Sequence, residues 1–120
     1  MQQQIHLCPC CRRPMPERRG VAALAFATAM AVYGVSAAEM RSAVREDDVI
    51  KARGLVVWAL RSIGEPVSYP VIGRMLGGRD HSTIIHAHRK AITLRLADSR
   101  FALACRAIEI AWETEIQDAA

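Results

Sequence analysis

The side chains best equipped for chemistry in this 120-residue chain crowd into one run, "GGRDHSTIIHAHRK", residues 77–90. It brings His81, His86 and His88 together with Asp80, Ser82 and Thr83, types that bind metals, move protons or hydrogen-bond to nucleic-acid bases. Spacing decides among these. A metal pair on a helix needs ligands at i and i+4, and no two of the three histidines stand at that interval. No nucleophile–base pair or carboxylate pair has a credible setting, so the chain does not read as an enzyme. A helix that opens behind two glycines with its polar residues in the first turn suits presentation to a ligand. In a helix-turn-helix the second helix enters the major groove of DNA and its N-terminal residues meet the base edges. Gly77 and Gly78 let the chain reverse with positive φ. Arg79 favours guanine, Asp80 can accept from a cytosine amino group, and Thr83 can touch a thymine methyl. His81 can donate or accept. Asp80 is also a good N-cap, and Arg89 and Lys90 are placed to reach phosphates.

A second cluster lies in "HLCPCCRRP", residues 6–14. Cys8 and Cys11 have the spacing of a zinc knuckle, and Cys10 and His6 offer further ligands of the right type. The second knuckle of a complete structural site is absent. One zinc held alone, one shared across a dimer, a degenerate remnant and a flexible basic arm therefore all remain open. These cysteines are too close together for a disulfide framework, and reduced, cytosolic thiols are the better reading. Cys105 reads as a small buried hydrophobe.

The elements that must position these groups follow from periodicity. Just over half of the residues are hydrophobic, with few aromatics, and the net charge of +4 permits nucleic-acid binding without proving it. Residues 1–17, rich in Cys, Pro and Arg, should be irregular, and residues 18–120 form one helical domain. The first helix runs from about Arg18 to Tyr33 and stops at Gly34. Ser36 and Glu39 form a capping box for a short second helix ending near Ala43. A polar loop leads to a third helix from about Asp48 to Ile63. Ser68 starts a fourth, with Pro70 in its first turn and Gly77-Gly78 at its end. The fifth begins near Asp80 and should bury Ile84, Ile85, Ile92 and Leu96. A sixth covers about Arg100 to Ile116. The expected fold class is all-α, about six helices with a helix-turn-helix in the fourth and fifth, behind an irregular Cys-rich segment. Residues 18–40 also mimic a secretory signal, but the stretch starts inside the chain and is too short to span a bilayer. The expectation from these residues is a cytoplasmic protein without membrane contact.

"IGRMLGGRDHSTIIHAHRK", Ile72–Lys90, resembles the signature of the C-terminal DNA-binding domain of the bacterial replication initiator DnaA. Upstream, "VYGVSAAEMRS" and the pattern from Arg45 to Arg53 extend the similarity over about residues 20–95. The resemblance implies that Asp80, His81, Ser82 and Thr83 read bases in the major groove and that Pro70 touches a thymine methyl. It further implies that Arg45 enters the minor groove and that Arg53, Arg61 and Lys90 hold phosphates. The ligand so implied is a short, asymmetric, A·T-rich box in double-stranded DNA. Two departures stand out. "REDDVIK" places Glu46, Asp47 and Asp48 where the family is basic, which should repel phosphates. Ala91 stands where the family prefers a larger aliphatic. No "GxxxxGK[ST]" is present, so no ATP site is expected, and the chain reads as a stand-alone small protein without the ATPase. Its expected role is transcriptional regulation or modulation of replication initiation. A different class of function is a protein-interaction module on the same scaffold, docking another protein or itself through the N-terminal arm or the acidic last helix.

Overall fold

A computed structural model describes residues 20–118, and among them the chain forms six α-helices and no strand. The cluster of His6, Cys8, Cys10 and Cys11 lies outside the described residues. The helices are α1 (Val21–Tyr33), α2 (Ala37–Arg41), α3 (Asp47–Ser62), α4 (Tyr69–Met75), α5 (His81–Ala97) and α6 (Ser99–Asp118).

Local chemistry sets the boundaries. Gly34 adopts φ 65° and returns its N–H to the Met30 carbonyl, which ends α1. The Ser36–Glu39 capping box forms as expected, with both hydrogen bonds at 3.1 Å. The short α2 stops at Arg41 rather than near Ala43, because the Ser42 hydroxyl turns back to the Glu39 carbonyl at 2.6 Å. Asp98 accepts from the Phe101 N–H at 3.1 Å and so satisfies one of the unpaired amides at the start of α6.

The third helix is the axis of the molecule. Every residue from Ala52 to Leu60 is buried, and α1, α2, α5 and α6 all pack on it. Met40, Leu55, Ile72, Leu76, Ile84, Phe101 and Ile108 are wholly enclosed. Each such side chain contributes about 1.5–3 kcal/mol relative to exposure. Cys105 is buried among them, and its thiol is pushed up to about 12 by that burial.

The inner face of α5 differs from the expected one. Ile84 and Ala91 are buried, with Ala87 and Leu94 packed against the core, whereas Ile92 is half exposed and Leu96 is 88% exposed. Small residues cause the rotation: α5 crosses α3 where Gly54 faces Ala91, and a Cβ on Gly54 would stand 3.9 Å from the Ala91 Cβ. The alanine that departs from the expected aliphatic is therefore matched by a glycine across the helix contact.

The acidic start of α3 also has a structural task. Asp47 and Asp48 occupy the first turn, where negative charge opposes the helix dipole favourably. Asp47 pairs with Lys51 at 3.2 Å, and Lys51 reaches Asp98 at 3.2 Å, tying α3 to the α5–α6 junction.

Candidate nucleic-acid interface

The α4–turn–α5 unit is built by glycine at three positions. Gly77 and Gly78 have φ 86° and 82°, left-handed values that L side chains rarely adopt. Gly73 is helical but equally constrained, since a Cβ there would overlap the Arg79 carbonyl oxygen. A Cβ on Gly77 would overlap the Arg41 carbonyl oxygen. The Gly73 carbonyl accepts from both Gly78 and Arg79 N–H groups at 2.9 Å, which closes the turn.

That turn presents the first residues of α5 to solvent. Asp80, His81, Ser82 and Thr83 are all exposed, while Ile84 directly behind them is buried and anchors the helix. Asp80 stands at the N-cap position, but its carboxylate makes no capping hydrogen bond. It accepts from Ser82 Oγ at 2.5 Å and lies 3.3 Å from His81 Nδ1. The hydrogen bond from Ser82 holds its pKa below the usual carboxylate value. Both contacts stay within the exposed turn itself.

The basic residues divide into two sets. Arg45, Arg89 and Lys90 are exposed, as is Pro70 in the first turn of α4. Arg53 and Arg61 are engaged within the fold. Arg53 is only 8% exposed. Its Nε donates to the Met40 carbonyl at 2.7 Å, and one terminal nitrogen donates to the Glu39 and Ser42 carbonyls at 3.1 and 2.7 Å. Arg61 donates to the Val67 carbonyl at 3.0 Å and lies 4.3 Å from the Tyr69 ring centroid, splinting the α3–α4 connection. Arg79 likewise turns inward, donating to the Leu76, Met40 and Ser42 carbonyls. Burial lowers the pKa of both Arg53 and Arg79, with the nearby guanidiniums adding to the effect.

Between residues 42–46, α3 and the start of α5 lies a cleft of about 590 Å3 whose lining includes Arg41, Arg45, Arg53, Arg79 and Thr83. Among the described residues none of these four arginines has a carboxylate partner. The concentration of positive charge beside the exposed turn favours a polyanion. Sequence reasoning has no handle on Arg41, which reaches this wall only because α2 ends beside the glycine turn. Of the histidines, His86 is exposed, and His88 is half buried with Nδ1 2.9 Å from the Tyr69 hydroxyl. Burial and then Arg61 hold His88 below its ordinary pKa. No group of three or more His, Cys, Asp or Glu among the described residues could hold a metal ion. No helix among them is long and apolar enough to cross a membrane.

Comparison with known families matches residues 26–91 to the bacterial dnaA protein helix-turn-helix. The chromosomal replication initiator protein DnaA of Sphingopyxis alaskensis is 43% identical over 67 residues, 56% of this chain and 15% of that protein. The protein of the same name from Azoarcus sp. strain BH72 is 38% identical over 66 residues, 55% of this chain and 14% of its own length. The chain thus spans about one seventh of the curated relatives it matches. No solved structure matches it.

Proposed function

The chain belongs to the bacterial dnaA helix-turn-helix family, a DNA-binding unit, and from that premise we propose that it reads a specific site in double-stranded DNA. In this reading the first turn of α5 enters the major groove, where Asp80, His81, Ser82 and Thr83 meet base edges. Pro70 approaches a thymine methyl, Arg45 reaches into the minor groove, and Arg89 and Lys90 hold phosphates. The protein binds rather than catalyses, and in the cell it regulates transcription or modulates replication initiation, the process named in its relatives. The observation that carries the reading is the exposed polar turn behind Gly77-Gly78, whose side-chain hydrogen bonds run along its own face.

Fluorescence anisotropy tests it, comparing a labelled duplex carrying an initiator-type A·T-rich box with a scrambled duplex. Specific binding should weaken roughly tenfold to a hundredfold in His81→Ala or Asp80→Ala, with little change on the scrambled duplex. Equal losses on both duplexes would remove the base-reading role. Should neither duplex be preferred, selection from a random duplex library distinguishes a retargeted reader from a protein that does not take DNA. A second role as a protein-docking scaffold is favoured by one observation. Leu96 and Leu103 are 88% and 72% exposed on the α5–α6 hairpin.

A further inference from the structure

Arg79 sits directly before the exposed turn, where a guanidinium would be expected to read guanine or hold a phosphate. Its contacts run the other way. One terminal nitrogen donates to the Ser42 carbonyl at 2.6 Å, and the other to the Leu76 carbonyl and, at 3.4 Å, to the Met40 carbonyl. Arg53, arriving from α3, donates to the same Met40 and Ser42 carbonyls at 2.7 Å each. Carbonyls at and just beyond a helix C-terminus have no partner inside the helix, and cations are favoured beside them. Two arginines, one from α3 and one from the turn before α5, therefore grip the end of α2. Three residues after Ser42 comes Arg45, and one residue after Arg79 comes Asp80. The grip thus joins, through the shared Met40 and Ser42 carbonyls, the loop that carries Arg45 to the turn that carries Asp80–Thr83.

We propose that Arg79 is a positioning residue that sets site specificity: together with Arg53 it locks the first turn of α5 at a fixed distance from the Arg45 loop through the Met40 and Ser42 carbonyls. This rests on the DNA-reading function proposed above. A planar fork is needed for the task, because it reaches separate carbonyls at fixed angles, whereas a lysine ammonium keeps the charge but not the geometry. Precise placement of a recognition turn is what turns base contacts into discrimination.

The test is Arg79→Lys, measured on every single-base variant of the site selected from a random duplex library. The expected result is at least a tenfold fall in preference over scrambled DNA, distributed across the positions read by Asp80–Thr83 and by Arg45. Affinity for scrambled DNA and its dependence on salt should stay within about twofold of the parent. A loss confined to one base pair would make Arg79 a direct reader and overturn the proposal. In Arg79→Gln, which also removes the charge, a salt slope shallower by one contact with equal losses on all duplexes would make it a phosphate holder and overturn the proposal as well, as would undiminished discrimination in Arg79→Lys. NMR of the arginine side chains in the parent protein provides an arm that needs no variant. Slowly exchanging Arg79 guanidinium protons, with shifts unchanged by a DNA duplex that moves those of Arg45, are expected. Rapid exchange in the protein alone would defeat the lock even if no duplex bound, so its failure is distinguishable from failure of the DNA-reading function.

Discussion

At the scale of single residues, the helix-turn-helix depends on positions where any side chain is an obstruction. Gly73, Gly77 and Gly78 are not equivalent. Gly78 has positive φ but open space for a Cβ, so Gly78→Ala should cost about 1–2 kcal/mol, the penalty for an L residue in the left-handed region. Gly77 carries that penalty and also presses on the Arg41 carbonyl. Gly73 presses on the Arg79 carbonyl. Urea denaturation should therefore rank Gly77→Ala and Gly73→Ala as more damaging than Gly78→Ala, and parity among the three would contradict the close approaches. The "GG" pair was legible in the sequence as a turn. Gly73 was not, because its neighbour is a backbone carbonyl that no pattern records. Arg53 left no trace either. Spacing alone reads it as an ordinary solvated position of α3, yet in the fold it is buried, its guanidinium held by carbonyls at the end of α2.

At the scale of elements, the fold followed from periodicity wherever an apolar stripe had one interpretation. Six helices and the capping box of α2 could be read directly, and the turn-and-cap signals placed most ends within a few residues. The face of α5 could not, since Ile92 and Leu96 offer a stripe as plausible as the true one through Ile84, Ala87, Ala91 and Leu94. What selects between them is the small-on-small crossing at Gly54 and Ala91, a property of two helices together. That crossing leaves room for a methyl group. Gly54→Ala would place its Cβ in ordinary contact, 3.9 Å from Ala91 and from the Phe101 ring. It should raise stability by about 0.5–1 kcal/mol through helix propensity, read as a higher urea midpoint at unchanged m-value.

The α5–α6 junction makes a different prediction. Asp98 is held below the usual carboxylate pKa, first by the Phe101 amide and then by Lys51. A group depressed in the folded state adds stability above its unfolded value of about 3.9. That contribution is lost as pH falls below this value and through the folded one. Unfolding midpoints measured from pH 6 down to pH 3 should fall less steeply in Asp98→Asn than in the parent protein.

At the scale of the whole molecule, the surface charge is sorted by function more than the sequence suggests. Arg53, Arg61 and Arg79 hold helix ends and connections together, while Arg45, Arg89 and Lys90 remain exposed. Exposed groups exchange counterions with a nucleic acid more readily than those whose donors are already taken up inside the fold. Lys90→Ala should therefore reduce the slope of log affinity against log salt by roughly one contact, and Arg61→Gln should leave it nearly unchanged. A shallower slope in both variants would mean that the inward arginines turn outward on binding. The acidic run at Glu46–Asp48 fits the same division. Read along the chain it stands against a phosphate backbone, but in the fold it supports the start of α3 and secures Lys51.

The exposed turn at Asp80–Thr83 rests on this framework without helping to support it. The side-chain hydrogen bonds of Asp80, His81 and Ser82 stay among themselves, and the anchors, Arg79 and Ile84, lie immediately outside the segment. The exposed turn and its structural supports are thereby separated along the chain, as in an instrument whose tip can be exchanged while its mount stays fixed. Positions 81–83 can be randomised together to seek new DNA targets, and the resulting proteins should differ in what they bind far more than in how well they fold.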